Sequence, residues 1–199
     1  LGARTQKYAD FLDVCVALTG RAPFAGCHTD EGRRASLLLH LDTSGLELSK
    51  LDDAFYGALG YLCGLEAGNR VPLLSGLEEV EISRDQLKAF SAAFGTTGAA
   101  ALFHIAGHTP EAHDALPTAG GSSEGFETRR ISAAEIRHTY AALGGEEPAP
   151  HAPMDDKGED GGAAVQLVAL GNPHFSFDEC AELAALIAGE RRHDDVRLI

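Results

Sequence analysis

The chain has 199 residues, 44% of them hydrophobic, which is enough to bury a core in one α/β domain or in part of a larger protein. The formal net charge of −14 argues against a nucleic-acid backbone or an anionic membrane as a partner. No apolar run approaches membrane-spanning length and no signal peptide is recognisable. The four cysteines show no C-x-x-C spacing, and Cys15 and Cys63 lie in helical apolar patterns that predict reduced core thiols. From the cysteines we expect a cytoplasmic protein without disulfides.

Apolar spacing and turn residues predict alternating helices and strands in the first part of the chain. The predicted helices cover 5–18, 52–65 and 83–94, and the predicted strands cover 35–41, 71–74 and 99–105. In the second helix, Gly57, Gly60 and Gly64 permit close packing against a neighbour.

Further along the chain, we predict an extended segment at 126–131, a helix at 132–144, a short buried strand at 165–170 and a helix at 176–188. The predicted helices at 83, 132 and 176 open with capping boxes, formed by Ser83 with Gln86, Ser132 with Glu135, and Ser176 with Glu179. Residues 145–162 are rich in Glu, Asp, Pro and Gly and indicate a solvated linker or surface loop.

The order of these elements predicts an α/β fold with a mainly parallel sheet flanked by helices. We expect 1–144 and 163–199 to be parts of one catalytic region, joined by 145–162. Because the chain opens with Leu1 inside patterned sequence, we expect a fragment of a larger catalytic domain. The strand–loop–helix order at 99–111 and at 165–179 predicts that both loops meet at one edge of the sheet.

His174 and Ser176 lie in the predicted loop between the strand at 165–170 and the helix that follows. Backbone N–H groups and the helix dipole at such a position attract an anion. An ordinary capped turn, with His174 on the surface, is the alternative interpretation.

The polar loop at 19–33 brings together Arg, His, Asp and Glu side chains between glycines and a proline. Arg21 and Arg33 can hold a carboxylate in bidentate fashion, and His28 can transfer a proton near neutral pH. A polar surface loop with locally paired charges is the alternative interpretation, and the spacing alone favours it.

His104 and His108 are four residues apart, but a strand would separate their side chains by about 13 Å, which is too far for one metal ion. We therefore predict that His104 lines a pocket or is hydrogen-bonded in the core. His108 is predicted in a loop beside a helix that starts at Thr109 and Pro110.

Four segments together resemble the catalytic part of the aconitase X family of hydro-lyases. They are LGART at 1–5, TGRxPxxGxHxxExR at 19–33, FHxxGxTPEA at 103–112 and LGxPHxS at 170–176. They occur in the order found in the family, with similar intervals, and span essentially the whole chain.

The resemblance implies dehydration of a small hydroxy acid, similar to cis-3-hydroxy-L-proline, with an iron or iron–sulfur centre as Lewis acid. It also implies a small swivelling domain or subunit that closes over the site. On this basis His28, His174 and Ser176 are the candidate catalytic residues. The candidate substrate-binding residues are Arg4, Thr5, Arg21, His104 and Asn172.

Asn172 departs from the GCPH form of the last motif, in which some relatives carry a cysteine ligand. Asparagine is a poor ligand for a thiophilic cluster, so either the iron is bound differently or its chemistry has been lost. Metal ligands are therefore not identified from the sequence. The alternative functions are dehydration of phosphomevalonate and anion binding by a domain without a metal site.

Overall fold

The computed structural model describes residues 4–115, 127–144, 165–171 and 174–199. The chain divides into two compact units, Leu1–Glu147 and Pro148–Ile199. The first unit contains α1 (Phe11–Thr19), β1 (Leu37–Leu41), α2 (Asp53–Ala67), β2 (Pro72–Ser75), α3 (Arg84–Thr97), β3 (His104–Ile105), β4 (Glu127–Ile131) and α4 (Ala133–Leu143). The second contains β5 (Leu167–Val168), α5 (Phe177–Leu186) and β6 (Arg197–Leu198). The linker predicted at 145–162 lies outside the described residues.

The first unit is built on four parallel strands in the order β3-β2-β1-β4. On β1, the alternating residues Leu37, Leu39 and Leu41 are buried in one core with side chains of α2, α3 and α4. This arrangement confirms the predicted α/β class with a parallel sheet flanked by helices.

The opposite face of the same sheet carries a smaller core of Ala35, Leu73, Ala112 and Ala115. Leu73 is paired in register with His104 on β3. Because residues paired in this way point to the same face of a sheet, His104 lies on the face away from α2.

All three predicted capping boxes are present. The hydroxyls of Ser83, Ser132 and Ser176 accept hydrogen bonds from the third residue of each helix, at 3.1, 3.3 and 3.1 Å. Both partners of a capping box lie within one helical turn, so these helix starts depend on local sequence alone.

Helices α2 and α3 pack closely because two glycines of α2 leave room for the α3 backbone. A Cβ at Gly60 would overlap the carbonyl oxygen of Phe90, and one at Gly64 would overlap the Thr97 hydroxyl. At Gly57 a Cβ would meet no atom within 4 Å, so the predicted role in packing holds for two of the three glycines.

The first helix is shorter than predicted, since α1 begins at Phe11 and not at residue 5. Residues 4–9 before it form neither helix nor strand, and the Gln6 side chain accepts a hydrogen bond from the Cys27 amide at 2.7 Å. None of the α1 side chains is buried, and Phe11 is 83% exposed. The prediction of Cys15 as a core thiol is therefore wrong, whereas Cys63 is fully buried.

The strand predicted at 99–105 is reduced to His104–Ile105. The amides of Ala99 and Ala100 donate to the carbonyl oxygen of Gly68 at 2.7 and 3.0 Å, so they are not available to a neighbouring strand. The helix predicted to start at Thr109 is a series of turns instead, in which the Thr109 hydroxyl accepts from the Ile105 amide at 2.9 Å.

In the second unit, β5 and β6 form a separate two-stranded parallel sheet. The prediction that the segments at 99–111 and 165–179 share one sheet is therefore wrong. The prediction of a buried strand at 165–170 is also wrong, because Leu167 is 53% exposed. A run of apolar residues cannot by itself distinguish a buried strand from an exposed one.

No helix among the described residues is long and apolar enough to cross a membrane.

Candidate functional site

Three of the four sequence motifs meet at one cavity of about 490 Å³ in the first unit. Thr5 comes from the first motif, Arg33 from the second, and His104 and Glu111 from the third. The other lining residues are Gln6, Lys7, Ser91, Phe94, Gly95, Ala100, Ala101, Leu102, Phe103, Thr109 and Pro110. Cavities of this volume are typical of small-molecule sites.

Arg33 and Glu111 form the central ion pair of this cavity. The Arg33 Nε atom donates to Glu111 Oε2 at 2.6 Å, and Nη1 donates to the Cys27 carbonyl oxygen at 3.1 Å. The hydrogen bond from Arg33 lowers the pKa of Glu111 below its ordinary value, and the Arg33 charge adds to this effect. Glu111 is therefore a carboxylate at neutral pH.

His104 is buried at the start of β3, and its Nε2 atom lies 2.7 Å from the backbone oxygen of Arg33. Because a carbonyl oxygen only accepts hydrogen bonds, Nε2 carries the proton. Burial lowers the pKa of His104, so the ring is neutral at neutral pH and Nδ1 holds a lone pair. This position confirms the prediction of a hydrogen-bonded, pocket-lining histidine.

A tight loop of two 3₁₀ helices, Gly26–His28 and Glu31–Arg33, positions Arg33. Gly26 has φ 54°, and a Cβ at Gly32 would overlap the Gly26 carbonyl group. The buried Cys27 thiol lies 3.4 Å from the Gly32 carbonyl oxygen, and burial raises its pKa. This thiol is therefore protonated and contributes to loop packing.

His28 lies in the same loop as Arg33 but does not line the cavity. Its ring stacks on Tyr8 with centroids 6.1 Å apart, and its carbonyl oxygen accepts from Arg4 at 3.2 Å. The buried Nε2 atom has no hydrogen-bond partner among the described residues. An unpartnered buried nitrogen is costly in a finished protein core, so this atom is a candidate for contact with a ligand or a further segment.

Arg4 forms an ion pair with Asp30, and both line a second cavity of about 370 Å³. Arg33 and Glu111 line it as well, so this pair separates two neighbouring cavities. Arg21, in contrast, is exposed and lines neither cavity.

Lys7 is a cavity residue that the sequence interpretation missed. Its Nζ atom donates to the carbonyl oxygens of Gly95 and Gly98, at 3.1 and 2.7 Å, at the end of α3. The sequence predicts a helix over 5–18, and the first family motif ends at Thr5. Neither feature therefore indicates a role for Lys7 in a cavity. Arg33 and Glu111 belong to two separate motifs, so the sequence does not show that they form an ion pair.

In the second unit, His174 is exposed and Ser176 caps α5. The Ser176 amide also donates to Glu179 Oε2 at 2.6 Å. Asn172 lies outside the described residues.

The described residues do not fit a resident iron or iron–sulfur centre. No group of three or more His, Cys, Asp or Glu side chains among them could hold a metal ion. The thiols of Cys27 and Cys63 are buried singly, with pKa values raised above the ordinary range by burial. The described residues alone therefore contain no complete ligand set for such a centre.

Models of two protein-family domains match this chain. The model of the aconitase X first domain matches residues 1–31, and that of the aconitase X second domain matches residues 35–141.

The chain is similar to curated proteins and to a solved structure over essentially its whole length. It is 47% identical to a cis-3-hydroxy-L-proline dehydratase of Pseudomonas aeruginosa over 100% of the chain, which spans 31% of that protein. It is 28% identical to a phosphomevalonate dehydratase large subunit of Methanocaldococcus jannaschii, covering 98% of the chain and 44% of that subunit. A crystal structure of Thermococcus kodakaraensis aconitase X in its holo form matches 100% of the chain and 44% of its own length, with a TM-score of 0.74 and 27% identity. The chain, which spans less than half the length of these relatives, belongs to the aconitase X family.

Proposed function

We propose that the protein containing this chain is a hydro-lyase that removes water from cis-3-hydroxy-L-proline or a closely similar hydroxy amino acid. The observation that carries the proposal is the convergence of three family motifs on the cavity around Arg33, Glu111 and His104. The 47% identity to a cis-3-hydroxy-L-proline dehydratase supports the choice of substrate.

Loss of a β-hydroxyl group requires a base for the α-proton and stabilisation of the departing hydroxide. Neutral His104 has a lone pair on Nδ1 that can accept a hydrogen bond from the substrate, and Glu111 and Arg33 place one negative and one positive charge on the cavity wall. Thr5 and Arg4 lie at the cavity and at its neighbour, where they can orient a bound acid. In this proposal these residues bind and orient the substrate.

His28, His174 and Ser176 remain our candidates for proton transfer and for orientation of the reacting groups. The unpartnered Nε2 atom of His28 supports its assignment. Arg21 and Asn172 remain candidate substrate-binding residues. Because Arg21 is exposed, its role would require contact with a closing domain or with a substrate that extends from the surface.

An iron or iron–sulfur centre and a small swivelling domain or subunit are part of the proposal, on the basis of the family. A cytoplasmic location is also proposed, and the free thiols of Cys27 and Cys63 are compatible with a reducing compartment.

The test is anaerobic purification of the full-length protein, followed by iron analysis and dehydration assays with cis-3-hydroxy-L-proline and phosphomevalonate. We expect turnover of the amino acid alone. Turnover of phosphomevalonate alone would support the other branch of the family. Iron-free protein that binds the amino acid without turning it over would support a non-catalytic binding domain.

A further inference from the structure

We propose that Lys7 is the anchor for the substrate carboxylate and that the cavity recognises a zwitterionic amino acid, with Glu111 and His104 as acceptors for its amine. This inference rests on the proposed function for the class of ligand, a hydroxyproline-like amino acid. The role of Lys7 is argued from the hydrogen bonds of the residues that line the cavity.

Lys7 keeps one hydrogen-bond donor that a ligand can use. A lysine ammonium has three donors, and the carbonyl oxygens of Gly95 and Gly98 accept two of them. These two bonds fix the position of Nζ at the cavity wall. The third donor is left for a ligand, since Nζ has no carboxylate partner among the described residues.

The charges of the cavity lining also favour a carboxylate at Lys7. Arg33 and Glu111 neutralise each other through their hydrogen bond, and His104 is neutral. Lys7 is therefore a cation of the cavity lining that has no acidic partner among the described residues. Its ammonium group is bound only by carbonyl oxygens. One unbalanced positive charge is suited to one carboxylate and is insufficient for a phosphorylated acid.

Glu111 and His104 each keep a hydrogen-bond acceptor that a ligand amine can use. Arg33 engages Oε2 of Glu111, which leaves Oε1 as an acceptor, and His104 keeps a lone pair on Nδ1. Both acceptors suit the N–H groups of a protonated secondary amine. Phe94 and Phe103 also line the cavity, with ring centroids 5.1 Å apart, and supply an apolar wall for a five-membered ring.

The test compares the binding of three probes to the full-length protein by calorimetry. L-proline has both charged groups, 3-hydroxypyrrolidine lacks the carboxylate, and cyclopentanecarboxylate lacks the amine. We expect Lys7→Gln to weaken the binding of L-proline and cyclopentanecarboxylate by about 10-fold or more, the effect of a lost charged hydrogen bond. Binding of 3-hydroxypyrrolidine should stay within about 2-fold, and Lys7→Arg should restore part of the carboxylate-dependent affinity.

Lys50→Gln is the matched control, because Lys50 is exposed and paired with Glu47 away from the cavity. The proposal is overturned if wild-type protein binds no L-proline, or if Lys7→Gln affects the three probes equally or not at all. A dehydration assay on the same samples separates the two proposals. Absence of turnover with carboxylate-selective loss of binding would reject the hydro-lyase function and retain the role of Lys7.

Discussion

The imidazole of His104 donates to the backbone oxygen of Arg33 over 2.7 Å, although the two residues are 71 positions apart in the sequence. This bond joins β3 to the loop that carries Arg33, and Arg33 in turn holds Glu111. One buried histidine therefore fixes the positions of two charged residues. Its ring also has a defined tautomer, with the proton on Nε2.

The tautomer of His104 gives the first prediction. In ¹⁵N-histidine spectra, we expect one ring to remain in the neutral Nε2–H form below pH 6.5, because burial lowers the pKa of His104. Because the folded state disfavours the proton, stability should decrease as the pH falls from 6.5 towards the lowered pKa. His104→Gln should remove the signal and flatten this part of the stability profile. A His104 ring that titrates at or above 6.5 would contradict the assignment.

Replacement of Arg33 by lysine gives the second prediction. Arg33→Lys keeps the charge but cannot reach both Glu111 and the Cys27 carbonyl oxygen in the same geometry. We expect a loss of about 1 to 2 kcal/mol in the free energy of unfolding, allowing for solvent screening of the partly exposed Glu111. Urea unfolding measures this loss. Arg84→Lys, at an exposed position, is the control, and an equal loss in both variants would contradict the prediction.

The third prediction concerns Glu135, which caps α4 and pairs with Arg129. Hydrogen bonds from Ser132 and then from Arg129 lower its pKa from 4.5 to about 2. Its contribution to stability is therefore complete above pH 4.5 and is lost as the pH falls towards about 2. Glu135→Gln keeps a side chain suited to the capping box, so it should mainly reduce the slope of unfolding free energy against pH in this interval. An unchanged slope, with Glu81→Gln as the exposed control, would contradict the account.

The loop before α5 gives the fourth prediction. Ser176→Ala should cost about 1 kcal/mol of stability, because the Glu179 amide loses its partner. His174→Ala, at an exposed position, should leave the melting temperature nearly unchanged and reduce turnover about 10²-fold, the scale of a lost proton-transfer group. If His174→Ala unfolds the protein, the histidine is a structural residue and its proposed role is wrong.

The parts of the fold that depend on neighbouring residues could be predicted from the sequence. The capping boxes at Ser83, Ser132 and Ser176 need only a serine and a partner three residues later. The alternation of β1 likewise specifies which of its leucines enter the main core. In both cases the determinants lie within a few residues of one another.

The parts that depend on distant contacts could not be predicted in this way. Ala99 and Ala100 look like strand residues, but their amides are taken by Gly68, far away in the sequence. The helical spacing before residue 11 does not reveal that Gln6 binds the Cys27 amide or that Lys7 binds the end of α3. The cavity likewise depends on the fold, which brings together motifs from distant parts of the sequence.

We expect the cavity around Arg33, Glu111 and His104 to bind the substrate of the dehydratase that we propose. The most direct measurement is kcat/KM for cis-3-hydroxy-L-proline in the full-length protein carrying Ala101→Trp, since Ala101 lines this cavity and is partly exposed. Ala134→Trp, at an exposed position on α4, is the control. We predict that filling the cavity lowers kcat/KM by about 100-fold or more, the scale of substrate misplacement, with a melting temperature close to that of the control. Full activity of Ala101→Trp would show that the substrate binds elsewhere.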